Sequence, residues 1–177
     1  MSLYIRYKDY KNITDYLLSN LPQESCGILS GKPDRIVTNV YYAKNSASMP
    51  TLRYFIAEKE LLTIHKSIRN AGENILAIFH SHPHHAQTRD YPSGTDIKEA
   101  YYPDAVYIIF YFRYPVIGSV YKKILYSIRH PRHIKSIFSP QYSGYYIRNN
   151  SVTEEPIEII EMPRYIKLLH DISRKIN

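Results

Sequence analysis

The chain holds a single cysteine, Cys26, so no internal disulfide can form. That excludes a small disulfide-stapled scaffold and favours a reducing compartment, so the expected location is the cytoplasm. No window of apolar residues is long enough to span a bilayer, which argues against a membrane partner. The start, Met1-Ser2-Leu3-Tyr4-Ile5-Arg6, carries no long apolar segment after its charge and does not read as a signal peptide. Internal repeats and low-complexity linkers are also missing.

Acidic residues are absent between Asp104 and Glu154, while that interval carries seven cations: Arg113, Lys122, Lys123, Arg129, Arg132, Lys135 and Arg148. This stretch accounts for the whole formal net charge of +7. It is also rich in tyrosine, including Tyr107, Tyr111, Tyr121, Tyr126, Tyr142, Tyr145 and Tyr146. The preferred reading is a solvated strand face with tyrosines half buried between core and water. An acidic protein partner comes next, drawn in by the field. Nucleic acid comes last, because no recognition motif accompanies the charge.

What is present describes an ordinary globular chain. At 177 residues, with 44% hydrophobic and 22% charged residues, it is expected to make one domain with a proper core. Periodicity predicts a helix over Asp9–Asn20, strands over Cys26–Leu29, Ile36–Ala43 and Arg53–Ala57, and a helix over Glu58–Asn70 with Gly72 just past its end. Ile75–His82 reads as a buried strand and Thr95–Tyr101 as a short helix. Ala105–Phe112 and Ser119–Arg129 read as a strand pair, Gln141–Ser151 as a loop or hairpin, Ile157–Ile160 as a strand, and Pro163–Arg174 as a helix. The expected class is α/β, built around a mixed sheet.

The chemistry gathers at His80-Ser81-His82-Pro83 and Ser93-Gly94-Thr95-Asp96. Alternate residues of a strand share a face, so His80 and His82 should project together from the end of the apolar run Ile75-Leu76-Ala77-Ile78-Phe79. Pro83 then stops the strand, and a short loop returns the chain to Asp96. Two imidazoles and one carboxylate make three metal ligands and leave a tetrahedral position open, the pattern of a catalytic rather than a structural zinc site. Each piece also has a plainer reading. A histidine on an apolar strand is commonly a satisfied core or rim residue. Ser93-x-x-Asp96 is a good capping box, with Asp96 in a first helical turn where the dipole favours an anion. The capping and metal readings are compatible, because a cap would hold Asp96 still.

Upstream lies Pro22-Gln23-Glu24-Ser25-Cys26-Gly27-Ile28-Leu29-Ser30-Gly31. Taken with H-S-H-P and S-x-x-D, Glu24 completes a set that resembles the JAMM (MPN+) metallopeptidase family. The resemblance runs from the first helix to about residue 130 and includes Asn45 and the apolar strands after Asp96. It implies the MPN fold, a single domain with a curved mixed sheet flanked by helices, with residues 1–135 as the metallopeptidase core and 136–177 as a C-terminal extension. It implies Zn2+ held by His80, His82 and Asp96, Glu24 as general base, and Ser93 as a donor to the developing oxyanion. The implied substrates are ubiquitin-like or sulfur-carrier proteins joined through their C-terminal tail, and the compact chain looks more similar to small prokaryotic members than to deubiquitinases with long insertions. The nucleoside deaminases match poorly, since no P-C-x-x-C is present. His84 and His85 are read as loop residues, and Cys26 as a buried residue rather than a nucleophile. The rival readings are a non-catalytic MPN scaffold or protein-binding module, and a nucleic-acid-binding protein using the basic, Tyr-rich half. A homo-oligomer is compatible with the tail.

Overall fold

The computed structural model describes residues 2–83, 90–112 and 140–161. In chain order the elements are β1 (Leu3–Arg6), α1 (Tyr7–Ser19), β2 (Cys26–Gly31), β3 (Val37–Ala43), α2 (Glu58–Asn70), β4 (Asn74–His82), α3 (Gly94–Lys98), β5 (Val106–Tyr111), β6 (Gln141–Arg148), β7 (Ser151–Glu154) and β8 (Ile157–Ile160). Six strands form one mixed sheet in the order β3-β2-β4-β5-β6-β7. Its β4–β5 pair is parallel, and the other neighbours are antiparallel. β1 pairs in parallel with β8 as a separate two-stranded ribbon.

The sheet is covered on both faces, which explains why β2, β4 and β5 read as near-continuous apolar runs. One face packs Leu29, Ala77, Phe79, Val106, Ile108 and Phe110 against Ile13 and Leu17 of α1 and Leu3 and Ile5 of β1. The other packs Cys26, Ile28, Ile78, Tyr107 and Ile109 against Ile64 and Ile68 of α2. Gly27 is required by this packing. A Cβ there would sit 2.4 Å from the Tyr41 carbonyl oxygen and 2.5 Å from the Phe79 ring, and the carbonyl belongs to the neighbouring strand and cannot swing aside.

The expected α/β class is observed, and most elements lie within a few residues of their predicted ranges. α2 ends as predicted: Gly72 takes φ +62, and the Glu73 N–H closes back on the Ile68 carbonyl at 3.1 Å. Gln141–Ser151 resolves as a hairpin arm, with Asn149 and Asn150 at φ 50 and 64 turning β6 into β7. Arg53–Ala57 is a correction. It is not a strand, because its backbone pairs with no ladder and is instead held by loop contacts around Asn45. Ser119–Arg129, Pro163–Arg174, His84 and His85 lie outside the described residues, as does the 135/136 boundary. Of the seven cations in the acid-free interval, Arg148 alone is among the described residues, where it stacks over Tyr146 at 4.8 Å. Among the described residues, no helix is long and apolar enough to cross a membrane.

Glu73, just ahead of β4, ties three elements together. Its carboxylate accepts from Ser30 Oγ at 2.5 Å, Thr38 Oγ1 at 2.6 Å and Asn39 Nδ2 at 3.0 Å. Partial burial pushes its carboxyl up, but those donors and Lys32 outweigh burial and leave it below its ordinary 4.5. A lowered folded value means the stabilisation is full above the unfolded value and fades as pH falls through the folded one. Glu73→Gln is therefore expected to lower the urea midpoint at pH 7, and the gap to wild type should narrow below about pH 4. A gap that stayed constant across a pH 3–7 urea series would show the charge to be irrelevant.

Candidate metal centre

His80 and His82 close the C-terminal end of β4 and are 0% and 3% exposed. His80 sits opposite Cys26 of β2 and Ile109 of β5, so ladders on both sides hold its backbone. Both imidazoles project to the face shared with Cys26, as the strand period requires. Ser81, between them, points the other way. Its Oγ accepts from the Ser25 N–H at 2.9 Å, and its own N–H donates to the Ser25 carbonyl at 3.0 Å. The segment carrying Glu24 is thus tied directly to the segment carrying the imidazoles.

Asp96 arrives from α3. The capping box is present: Ser93 N donates to Asp96 Oδ2 at 2.7 Å, and Asp96 N donates to Ser93 Oγ at 3.2 Å. So fixed, the carboxylate faces both histidines, with Oδ1 3.3 Å from His80 Nε2 and Oδ2 3.3 Å from His82 Nε2. The two Nε2 atoms lie 2.9 Å apart. Two imidazole nitrogens that close, with a carboxylate against both, need a proton or a cation between them. His80, His82 and Asp96 form a group whose ligand atoms lie within 4.8 Å of one another, and this buried N, N, O set fits a divalent cation. Burial alone would raise the Asp96 carboxyl, but the facing imidazoles outweigh it and hold the group well below the usual carboxylate range.

Glu24 lies beside this set and is 2% exposed. Burial pushes its carboxyl up to about 8, Asp96 adds to the rise, and His82 opposes it. The Glu24 backbone is clamped at both ends. Its N–H donates to the Pro50 carbonyl at 2.7 Å, and its carbonyl accepts from Asn45 Nδ2 at 2.9 Å. The same Asn45 amide donates to the Arg53 carbonyl at 3.0 Å, and its Oδ1 accepts from Ala47 N and Phe55 N. Cys26 is fully buried, donates weakly to the Ala43 carbonyl at 3.6 Å, and has its thiol pushed up to about 12 by burial, with Glu60 and Glu24 adding to it. A thiol so disposed is not a nucleophile.

The structure therefore places His80, His82 and Asp96 together, with Glu24 close enough to feel both His82 and Asp96, and Ser93 at the cap that holds Asp96. Sequence reasoning missed Tyr54. It comes from the segment misread as a strand, and its ring stacks on His80 with centroids 4.5 Å apart. Nothing in the run Arg53-Tyr54-Phe55-Ile56 marks Tyr54 as a neighbour of His80.

A mixed sheet covered by helices, with two histidines and an aspartate gathered at the end of its central strand, defines a JAB-type α/β domain. The family model for prokaryotic homologs of the JAB domain matches residues 8–117, and the chain belongs to that family. The CysO-cysteine peptidase of Mycobacterium tuberculosis is 30% identical over 145 residues, covering 79% of each chain. The desampylase of Haloferax volcanii is 36% identical over 89 residues, which span 50% of this chain and 62% of that protein. In three dimensions, a protein from Desulfitobacterium hafniense superposes with a TM-score of 0.66 at 27% identity, covering 89% of this chain and 92% of the other.

Proposed function

We propose that this protein is a zinc-dependent peptidase that hydrolyses the amide bond after the C-terminal tail of a ubiquitin-like or sulfur-carrier protein. The observation that carries this reading is the buried meeting of His80 Nε2, His82 Nε2 and the Asp96 carboxylate, with the Glu24 carboxyl beside it. Relatives named for cleaving such conjugates, the desampylase and the CysO-cysteine peptidase among them, support the substrate class.

His80, His82 and Asp96 would hold Zn2+. A bound zinc ion supplies Lewis acidity, lowering the pKa of water toward neutrality and polarising a carbonyl. Glu24 accepts a proton from the attacking water and returns it to the departing amine. Its raised pKa suits a group that must both take and give a proton, and a nearby cation would draw that value down toward the working range. Ser93 Oγ accepts from the Asp96 N–H, which leaves its own O–H free in direction to donate to the developing oxyanion. The catalytic core is assigned to residues 1–135 and a C-terminal extension to 136–177.

The test is incubation of the purified protein with fusions of ubiquitin-like proteins from its own source. Cleavage is expected after the carrier's C-terminal residue. It should cease with a zinc chelator and return on adding zinc. Cleavage indifferent to the chelator would sink the metal assignment, and an intact fusion in the zinc-loaded sample would sink the substrate class.

A further inference from the structure

Metal-binding histidines are usually oriented by a hydrogen bond from the ring nitrogen that does not face the metal. His80 departs from that arrangement. Its Nε2 faces His82 and Asp96, while its Nδ1 is buried and has no hydrogen-bond partner among the described residues. Among the described residues, what sets the plane of the ring is the packing against its face. Tyr54 lies against it, with ring centroids 4.5 Å apart and planes 28° from parallel. His82, by contrast, meets His80 edge-on, at 63°, and cannot act as a flat support.

Tyr54 is itself held from both sides. The carbonyl of Arg53 accepts from Asn45 Nδ2 at 3.0 Å, and the N–H of Phe55 donates to Asn45 Oδ1 at 3.2 Å. Phe55 further returns a carbonyl to Ser46 N at 2.8 Å. The residues on either side of Tyr54 are therefore pinned by the side chain that also pins Glu24. The loop has no ladder partner, so these bonds set where the phenol ring stands.

We infer that Tyr54 is a positioning residue: its ring face, presented by the Asn45 clamp, sets the plane of the His80 imidazole and so aims Nε2 into the metal site. The inference rests on the zinc reading above and adds to it the means by which one ligand is oriented. The ring face does this work, and the hydroxyl is not needed for it. Phe should therefore replace Tyr54, and a flexible side chain of similar bulk should not.

The experiment compares wild type, Tyr54→Phe and Tyr54→Met. Zinc affinity is measured by competition with a chromophoric chelator, and the ring protons of His80 are followed by NMR in the metal-free proteins. Wild type and Tyr54→Phe are expected to bind zinc alike and to show His80 ring protons displaced upfield by the stacked ring. Tyr54→Met is expected to lose that displacement and to bind zinc about 10–100-fold more weakly, the range seen when an orienting partner is removed. Equal affinity and an unmoved His80 signal in Tyr54→Met would overturn the inference while leaving the metal site intact. Loss in Tyr54→Phe as large as in Tyr54→Met would overturn it too, by assigning the effect to the hydroxyl. Failure of wild type to bind zinc would overturn both the metal reading and this one. Should Tyr54→Met lose its tertiary structure, the wild-type spectrum decides: upfield His80 protons support the stack, and protons at ordinary positions overturn it.

Discussion

Glu24→Gln is expected to bind zinc as wild type does and to lose turnover by about 10²–10⁴-fold, the usual contribution of a general base. Three residues other than Glu24 form the ligand group, so the substitution leaves the donor set whole. Gln has the same shape as Glu, which matters at a site 2% exposed where a smaller side chain would open a cavity. The backbone of residue 24 is fixed through its own N–H and carbonyl, to Pro50 and to the Asn45 amide, so the exchange does not release the strand end. What Gln lacks is a basic oxygen. Metal content by elemental analysis, alongside kcat on a cleavable fusion, separates the two properties. A Glu24→Gln protein that turned over normally would remove the residue from the reaction.

Asp96 is proposed as a zinc ligand and also completes the capping box of α3, and paired substitutions split the two roles. Asp96→Asn keeps an oxygen able to accept from Ser93 N–H and so preserves the cap on α3, yet it loses the charge that faces both imidazoles. Asp96→Ala loses that reciprocal bond as well, while Ser93 Oγ still accepts from the residue-96 N–H, at a further cost of about 0.5–1.5 kcal/mol in stability. Both variants are expected to bind zinc more than ~100-fold more weakly than wild type, beyond the 10–100-fold typical of changes behind a ligand. His80→Ala should match them in affinity. Urea midpoints of the metal-free proteins should rank Asp96→Asn above Asp96→Ala. Wild-type zinc affinity in Asp96→Asn would mean that the carboxylate serves the helix alone.

Much of this site could be read from residues close together in the chain. His80, Ser81 and His82 sit on one strand, whose period of two settles which side chains share a face. Ser93 and Asp96 sit within one helical turn, where capping chemistry has a short signature. Glu24 was found through the company it keeps, since an acid before a short strand means little by itself. Its burial depends on β2 lying beside β4, a pairing with no local signal.

Arg53–Ala57 was misread for a physical reason. Its run Tyr54-Phe55-Ile56 of aromatic and β-branched residues suits a strand, but an Asn side chain eight residues upstream satisfies the backbone instead. Such side-chain substitution for a ladder is invisible to periodicity, and Tyr54 was lost with it. The β1–β8 ribbon joins the first and last described strands, and nothing in either four-residue stretch announces the other.

The ladder on both flanks of β4 has a practical consequence for anyone handling this protein. Because His80 is hydrogen-bonded into the middle of a six-stranded sheet, the cradle proposed for zinc is expected to stand without the ion. Repeated rounds of demetallation and reloading, with zinc or a spectroscopically visible substitute such as cobalt, should proceed without a refolding step.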